Sequence, residues 1–243
     1  MNIQYNIVSH GTESQGNSDG YMAVSEDING SRFILPIPHK KTNCDDMKGS
    51  LQIKKDLSIE KITVARFGLI SQLFVDNYKL AKNKKILVVG IGCVGFACVQ
   101  ILKLNNYKYV YYTDKSNANI TEAEMIDNNK VNYHDFDVII EATGKIDVLN
   151  KIIRECKIMS TIILLGTCRE AGGIEPLLVH RKNLKILGAH ELSGYTDKHR
   201  QKEFDKVVKL ISKSKNDFKK VVSFVDKNQR DKLKRTSIYT VLV

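Results

Sequence analysis

The run Val88-Val89-Gly90-Ile91-Gly92-Cys93-Val94-Gly95 leaves this chain the least freedom in how it folds. Ile86 to Val89 is a continuous apolar stretch, the pattern of a parallel strand covered on both faces. Phe96-Ala97-Cys98-Val99-Gln100-Ile101-Leu102 then reads as helix. A G-x-G-x-x-G turn between a strand and a helix is the context in which this spacing holds a dinucleotide. Gly90 makes the tight turn, Gly92 lets the backbone approach a pyrophosphate, and Gly95 lets the helix pack close to the strand. Cys93 and Val94 lie in the first turn, whose N–H groups and positive dipole end face the phosphates.

Such a site also needs an acid at the end of the next strand. Tyr111-Tyr112-Thr113-Asp114 supplies one, 24 positions after Gly90 and close to the spacing of about 20 expected for a ribose ligand. A carboxylate there accepts from a ribose 2′-OH and repels a 2′-phosphate, which favours NAD. Lys115 could instead attract that phosphate, so NADP stays open. The tyrosines at 107, 109, 111 and 112 read as strand packing.

Around the glycine loop the hydrophobic period alternates. Residues 58 to 80 carry an apolar helical face through Ile59, Ile62, Ala65, Leu69 and Leu73. After the loop come a strand at Val110–Thr113, a weak helix from Thr121 to Asn129, and a strand at Val138–Ile140. A helix from about Lys145 to Cys156, strands at Thr161–Leu165 and Leu184–Leu187, and a helix from about Asp197 to Ser212 follow. Strand and helix in turn predict an α/β domain with a doubly wound parallel sheet and right-handed crossovers. Residues 1 to 43 are short apolar pieces broken by turn formers, which predicts short strands and loops.

The charge balance, +11 over 243 residues, raises the question of a polyanionic partner. The basic residues are spread thinly except towards the C-terminus, at Lys213-Ser214-Lys215 and Lys232-Leu233-Lys234-Arg235, and they lack aromatic interleaving. The expectation is a solvated lysine-rich surface with no nucleic-acid partner. No apolar run approaches the roughly 18 residues of a membrane span, and the N-terminus lacks the pattern of a signal peptide. A cytoplasmic protein with no membrane partner is therefore expected. Cysteines 44, 93, 98, 156 and 168 show no C-x-x-C spacing and read as buried thiols rather than a disulfide framework or zinc lobe.

The order of these pieces resembles the medium-chain, zinc-type alcohol dehydrogenase superfamily from about Val8 to the end. KKILVVGIGCVGFACVQILK is similar to that family's entry into its cofactor domain. FDVIIEATG and IILLGT resemble the strands and turns that lie beside the cofactor, which implies roles for Ala142, Thr143, Gly144, Leu165, Gly166 and Thr167. NLKILGAHELSG is similar to the segment entering the last strand of the sheet, and SIYTVLV to the closing strand. The implied architecture is a Rossmann-type dinucleotide-binding domain over 56–218, with a truncated, β-rich, GroES-like catalytic remnant at 1–55 completed by 219–243.

The resemblance also gives VSHGTES, Val8 to Ser14, a place. The family's early Cys-Gly-Thr-Asp-like motif carries a zinc ligand and a proton-relaying hydroxyl, which puts His10 at the ligand position, Thr12 at the relay and Glu13 at the acid. The Gly-Thr-Glu form is closer to a branch that includes bacteriochlorophyllide dehydrogenases. The family's Gly-His-Glu motif is missing, and Tyr239 stands where many members place an arginine for the cofactor phosphates. A catalytic zinc needs about three protein ligands, and beyond His10 none is evident in the sequence, so no zinc is expected.

What the resemblance implies is a zinc-independent, NAD(P)-dependent oxidoreductase acting on a small-molecule substrate, with His10 and Thr12 as proton carriers. A non-catalytic dinucleotide-binding or partner-binding descendant is the alternative. Family dimers commonly pair the last strands of two cofactor sheets, which implies a homodimer through Leu184–Ala189.

Overall fold

The computed structural model describes residues 2–8, 22–36, 49–54, 56–116, 123–168, 171–226 and 237–242. His10, Thr12 and Glu13 lie outside these residues, as do His39 and Cys44. The chain forms two compact units, one of residues 1–69 and 194–243, the other of residues 70–193.

The first unit is built on a six-stranded sheet. Strands β1 (Asn2–Val8), β2 (Met22–Glu26), β3 (Arg32–Pro36) and β4 (Leu51–Ile53) pair antiparallel in sequence. At the other edge β1 pairs antiparallel with β12 (Tyr239–Leu242), which runs parallel to β11 (Val222–Val225). Ile7, Val24, Ile34, Leu35 and Val241 are buried, as the short apolar runs require. Tyr239 is buried too. Its ring lies 5.3 Å from Phe67, so the residue standing at the resemblance's arginine position is part of an apolar core. The unit also holds helix α5 (Asp197–Lys213), N-capped by the Thr196 hydroxyl accepting from the His199 N–H at 3.2 Å.

The second unit carries the parallel sheet. Its strands are β5 (Lys85–Val89), β6 (Tyr109–Thr113), β7 (Glu124–Met125), β8 (Val138–Glu141), β9 (Thr161–Leu164) and β10 (Lys185–Gly188). They lie in the order β7-β6-β5-β8-β9-β10, all parallel. Counted from β5 this is 3-2-1-4-5-6, the doubly wound dinucleotide order, with its topological switch between β5 and β8. Helices α2 (Cys93–Leu104), α3 (Ile146–Glu155) and α4 (Pro176–Arg181) connect the strands. The long α1 (Ile59–Tyr78) runs from the first unit into the second. No helix among the described residues is long and apolar enough to cross a membrane.

Sequence dictates where these elements stop. α2 is apolar almost all round and accordingly buried from Gly95 to Leu102. It ends where the Asn105 amide donates to the Ile101 carbonyl and Asn106 turns left-handed at φ 62°. α3 buries only Leu149, Ile152 and Ile153, one face of an amphipathic helix. The tyrosines serve packing: Tyr112 is fully buried, Tyr111 meets Phe136 edge-on at 5.6 Å, and Tyr107 donates to the Leu80 carbonyl.

Two expectations need correction, and one helix was not foreseen. Described residues between Thr121 and Asn129 form no helix; the short β7 pairs there with β6 instead, because Glu124 and Met125 extend the sheet edge. Cys93, Cys98 and Cys156 are buried thiols, but Cys168 is exposed in the turn after β9. α4 was not foreseen: its Pro176 opens a short helix with no fully buried residue, too brief to show a period. The first unit also takes in α5 and the start of α1.

Candidate functional site

The switch point gathers most of the residues that the sequence singled out. Gly90 closes β5 with φ +93°, its N–H donating to the Thr113 carbonyl at 2.9 Å. A Cβ on Gly90 would lie 2.6 Å from Thr143 Cγ2, and one on Gly95 only 1.9 Å from the Gly90 carbonyl oxygen. Two of the three fingerprint glycines are therefore required by the protein's own packing. Gly92 differs. It is the N-cap of α2, in extended backbone at φ −82° and ψ −164°, and a Cβ there would meet nothing within 4 Å among the described residues. Cys93 is buried and Val94 half-buried in the first helical turn, whose N–H groups have no acceptor within the helix.

Asp114 joins this loop to the end of β6. One carboxylate oxygen accepts from the Ile91 N–H at 2.9 Å; the other accepts from the Ser116 N–H at 2.9 Å and from the Ser116 hydroxyl at 2.7 Å. The carboxylate is thus held rigidly beside the glycine loop, half-buried, with exposed Lys115 next to it.

Two further turns complete the rim. Ala142 continues β8, its N–H donating to the Val89 carbonyl at 2.9 Å. Gly144 has φ +66°, and a Cβ there would sit 2.5 Å from the Thr167 carbonyl oxygen. After β9, Leu165 and Gly166 both donate to the Glu141 carbonyl at 2.8 Å, and a Cβ on Gly166 would lie 2.4 Å from the Gly144 nitrogen. The loops after β5, β8 and β9 therefore interlock through backbone atoms, and only side chains as small as hydrogen fit the junctions.

Glu141 organises this interlock and is the residue that sequence reasoning missed. It is 2% exposed. Its carboxylate accepts from the Thr143 N–H at 2.7 Å, from the Gly144 N–H at 3.0 Å and from the Thr143 hydroxyl, while Lys145 N–H donates to Thr143 Oγ1 at 3.1 Å. The signal was an acid ending an apolar strand, Val138-Ile139-Ile140-Glu141, just before Ala-Thr-Gly. Burial pushes its carboxyl above the usual 4.5, against the opposing pull of hydrogen bonds from the Thr143 side chain and from backbone N–H groups.

The sign of the consequence follows from that rise. A carboxyl raised in the folded state contributes stability that is complete below its unfolded value and is lost as pH climbs through the folded one. The unfolding free energy of the parent relative to Glu141→Gln, from urea titrations stepped upward from pH 4.5, is expected to decline. An advantage of the parent that grows with pH would overturn the assignment.

No protein-family model matches the sequence, and no curated protein matches it. Solved structures match the fold. A short chain alcohol dehydrogenase from E. coli CFT073, complexed with NADH, superposes at TM-score 0.74 with 14% identity, over 100% of this chain and 90% of that one. The quinone oxidoreductase of Thermus thermophilus, solved also with NADPH, gives 0.74 and 15% over the same shares. Benzyl alcohol dehydrogenase from Acinetobacter calcoaceticus gives 0.61 and 16%, over 79% of this chain and 59% of that one. The chain has the α/β fold of these dehydrogenase and oxidoreductase structures, with the doubly wound sheet that the sequence predicted.

Proposed function

We propose that this chain is a zinc-independent, NAD(P)-dependent oxidoreductase of the medium-chain type, moving hydride between a nicotinamide and a small alcohol, carbonyl or conjugated C=C substrate. The observation that carries this reading is the contrast within the glycine loop. Gly90 and Gly95 are glycine because the protein fills their Cβ positions, whereas Gly92 opens onto space with no atom of the described residues to explain it. A glycine kept beside empty space at a helix N-terminus fits a pyrophosphate lying against the backbone.

The residues present fit a dinucleotide. The first turn of α2 would hold the pyrophosphate and Asp114 the ribose, and the Ala142–Gly144 and Leu165–Thr167 turns would line the path of the nicotinamide half. When bound, the nicotinamide supplies the hydride chemistry, and the chain supplies position and proton transfer. His10 and Thr12 are proposed to carry the substrate's proton, and the Gly-Thr-Glu form of their motif points to the branch that includes bacteriochlorophyllide dehydrogenases. We extend the proposal to a homodimer through β10, which pairs only with β9 among the described residues and is half-exposed along Ile186 and Leu187. A cytoplasmic location completes the reading.

NADH and NADPH titrations, followed by nicotinamide oxidation against a panel of carbonyls, enones and quinones, test it. Dinucleotide binding with turnover that collapses in His10→Ala supports the enzyme. Binding without turnover on any substrate, indifferent to His10→Ala, supports the non-catalytic alternative, which the missing Gly-His-Glu motif and the buried Tyr239 favour. Absence of binding removes both.

Asp114 sets the expected preference. Asn in its place keeps one acceptor oxygen, so either the Ile91 or the Ser116 contact loses its partner, and the repulsion of a 2′-phosphate disappears. Charged hydrogen bonds are worth about 1.5–3 kcal/mol. The ratio of NADH to NADPH affinity is expected to fall by about 10- to 100-fold in Asp114→Asn. An unchanged ratio by calorimetry would leave Asp114 a loop staple only.

A further inference from the structure

The dinucleotide reading leaves the charge of +11 without a use. The fold concentrates part of it. Lys54, just past β4, and Lys198, Lys202, Lys206 and Lys209 of α5 line one groove of about 460 Å³, all within the first unit. The helical lysines recur at steps of four, four and three, which places them on one face. At 1.5 Å per residue they form a track about 16 Å long.

That face is held in place. Phe204, Val207, Val208 and Ile211 are buried on the other side of α5. Gln201 exchanges two hydrogen bonds with the Gln52 backbone, at 2.8 and 3.0 Å, and the buried Arg200 guanidinium donates to the Gly49 carbonyl at 3.2 Å. The helix thus cannot roll to hide its lysines.

Little negative charge offsets them. The Asp205 carboxylate, in the groove, is already engaged by Lys54 at 2.6 Å and by Gln201 at 2.7 Å, and Lys206 pairs with Glu203 at 2.6 Å. Lys198, Lys202 and Lys209 are exposed and make no ion pair among the described residues.

We infer that this lysine groove docks the sugar–phosphate backbone of a nucleic acid without reading its sequence. A row of ammonium groups matches the regular charges of a phosphate backbone, and lysine serves phosphate as a point charge. Among the described residues nothing in the site reads bases, since no aromatic residue lines it and the Gln201 amide is committed in both directions. A bilayer fits less well. The apolar face that an interfacial helix would insert is locked in the core, and a concave groove meets a flat surface only at its rim. The sequence expectation of no nucleic-acid partner rested on thin spacing of basic residues and on their lack of aromatic interleaving; the groove shares the second feature, which bears on base stacking rather than on phosphate contact, and Lys54 reaches the helical cluster only through the fold.

The test is fluorescence anisotropy of a labelled duplex DNA and a single-stranded RNA of about 20 nucleotides, titrated with the full chain across about 50 to 200 mM salt. Three to four phosphate contacts predict a log–log salt slope of about −3 for the duplex and roughly 100-fold weaker binding at the upper salt. Lys198→Glu/Lys202→Glu/Lys209→Glu, all exposed changes, is expected to lose at least about tenfold in affinity and to flatten the slope. Its melting temperature and its dinucleotide affinity should match the parent's. No binding of either oligonucleotide at low salt overturns the inference, as does a triple variant that binds like the parent. Binding confined to phosphatidylserine vesicles and abolished by the triple change would assign the groove to a membrane surface instead.

Discussion

Gly95→Ala is expected to break the second unit's core at its most crowded point. The new methyl would sit 1.9 Å from the Gly90 carbonyl oxygen, 3.0 Å from the Gly90 carbonyl carbon and 3.3 Å from Ala142 Cβ. Two of these neighbours are backbone, so no rotamer change relieves the contact. Either α2 lifts away from β5 or the Gly90 turn shifts, and that turn is pinned by its hydrogen bond to Thr113 and wedged against Thr143. Overpacking of a closed core costs about 1–3 kcal/mol, more where backbone must move. A loss of about 3 kcal/mol corresponds to a melting temperature lower by roughly 10 °C. Thermal unfolding followed by circular dichroism measures it, and a variant that melts with the parent would show that helix and strand are not packed as described.

How much of this was legible depended on how local each signal was. The parallel strands announced themselves because burial on both faces leaves an uninterrupted apolar run, as in Ile86–Val89 and Val138–Ile140. The glycine loop was legible because its spacing encodes a local turn. Glu141 was not: its importance comes from the turn after β8 folding back so that Thr143 and Gly144 donate to it, which no period or spacing reveals. β7 defeated a helical reading because two residues pairing at a sheet edge show almost no pattern. The lysine groove joins Lys54 to Asp205, 151 positions apart, and proximity of that kind exists only after folding.

Gly92→Asp separates the proposed dinucleotide site from the scaffold that would hold it. In the free protein the substitution meets no obstacle among the described residues: the backbone is extended, which any residue adopts, and no described atom lies within 4 Å along the Cβ direction. It should even help the fold. Gly92 is the N-cap of α2 and offers no side-chain cap, whereas aspartate accepts from the N–H groups of the first turn and complements the helix dipole, worth a few tenths of a kcal/mol. The melting temperature is therefore expected to hold or rise. Dinucleotide binding should not survive. The carboxylate would compete for the very N–H groups that a pyrophosphate needs, and two unit charges about 4 Å apart near a protein surface repel by about 4 kcal/mol. An NADH affinity at least 100-fold weaker is expected, measured by calorimetry on a protein shown by melting to be fully folded. Affinity within about twofold of the parent would mean that the space beside Gly92 is not where a pyrophosphate lies. Gly95→Ala could not make that distinction, because there a loss of binding and a loss of structure arrive together.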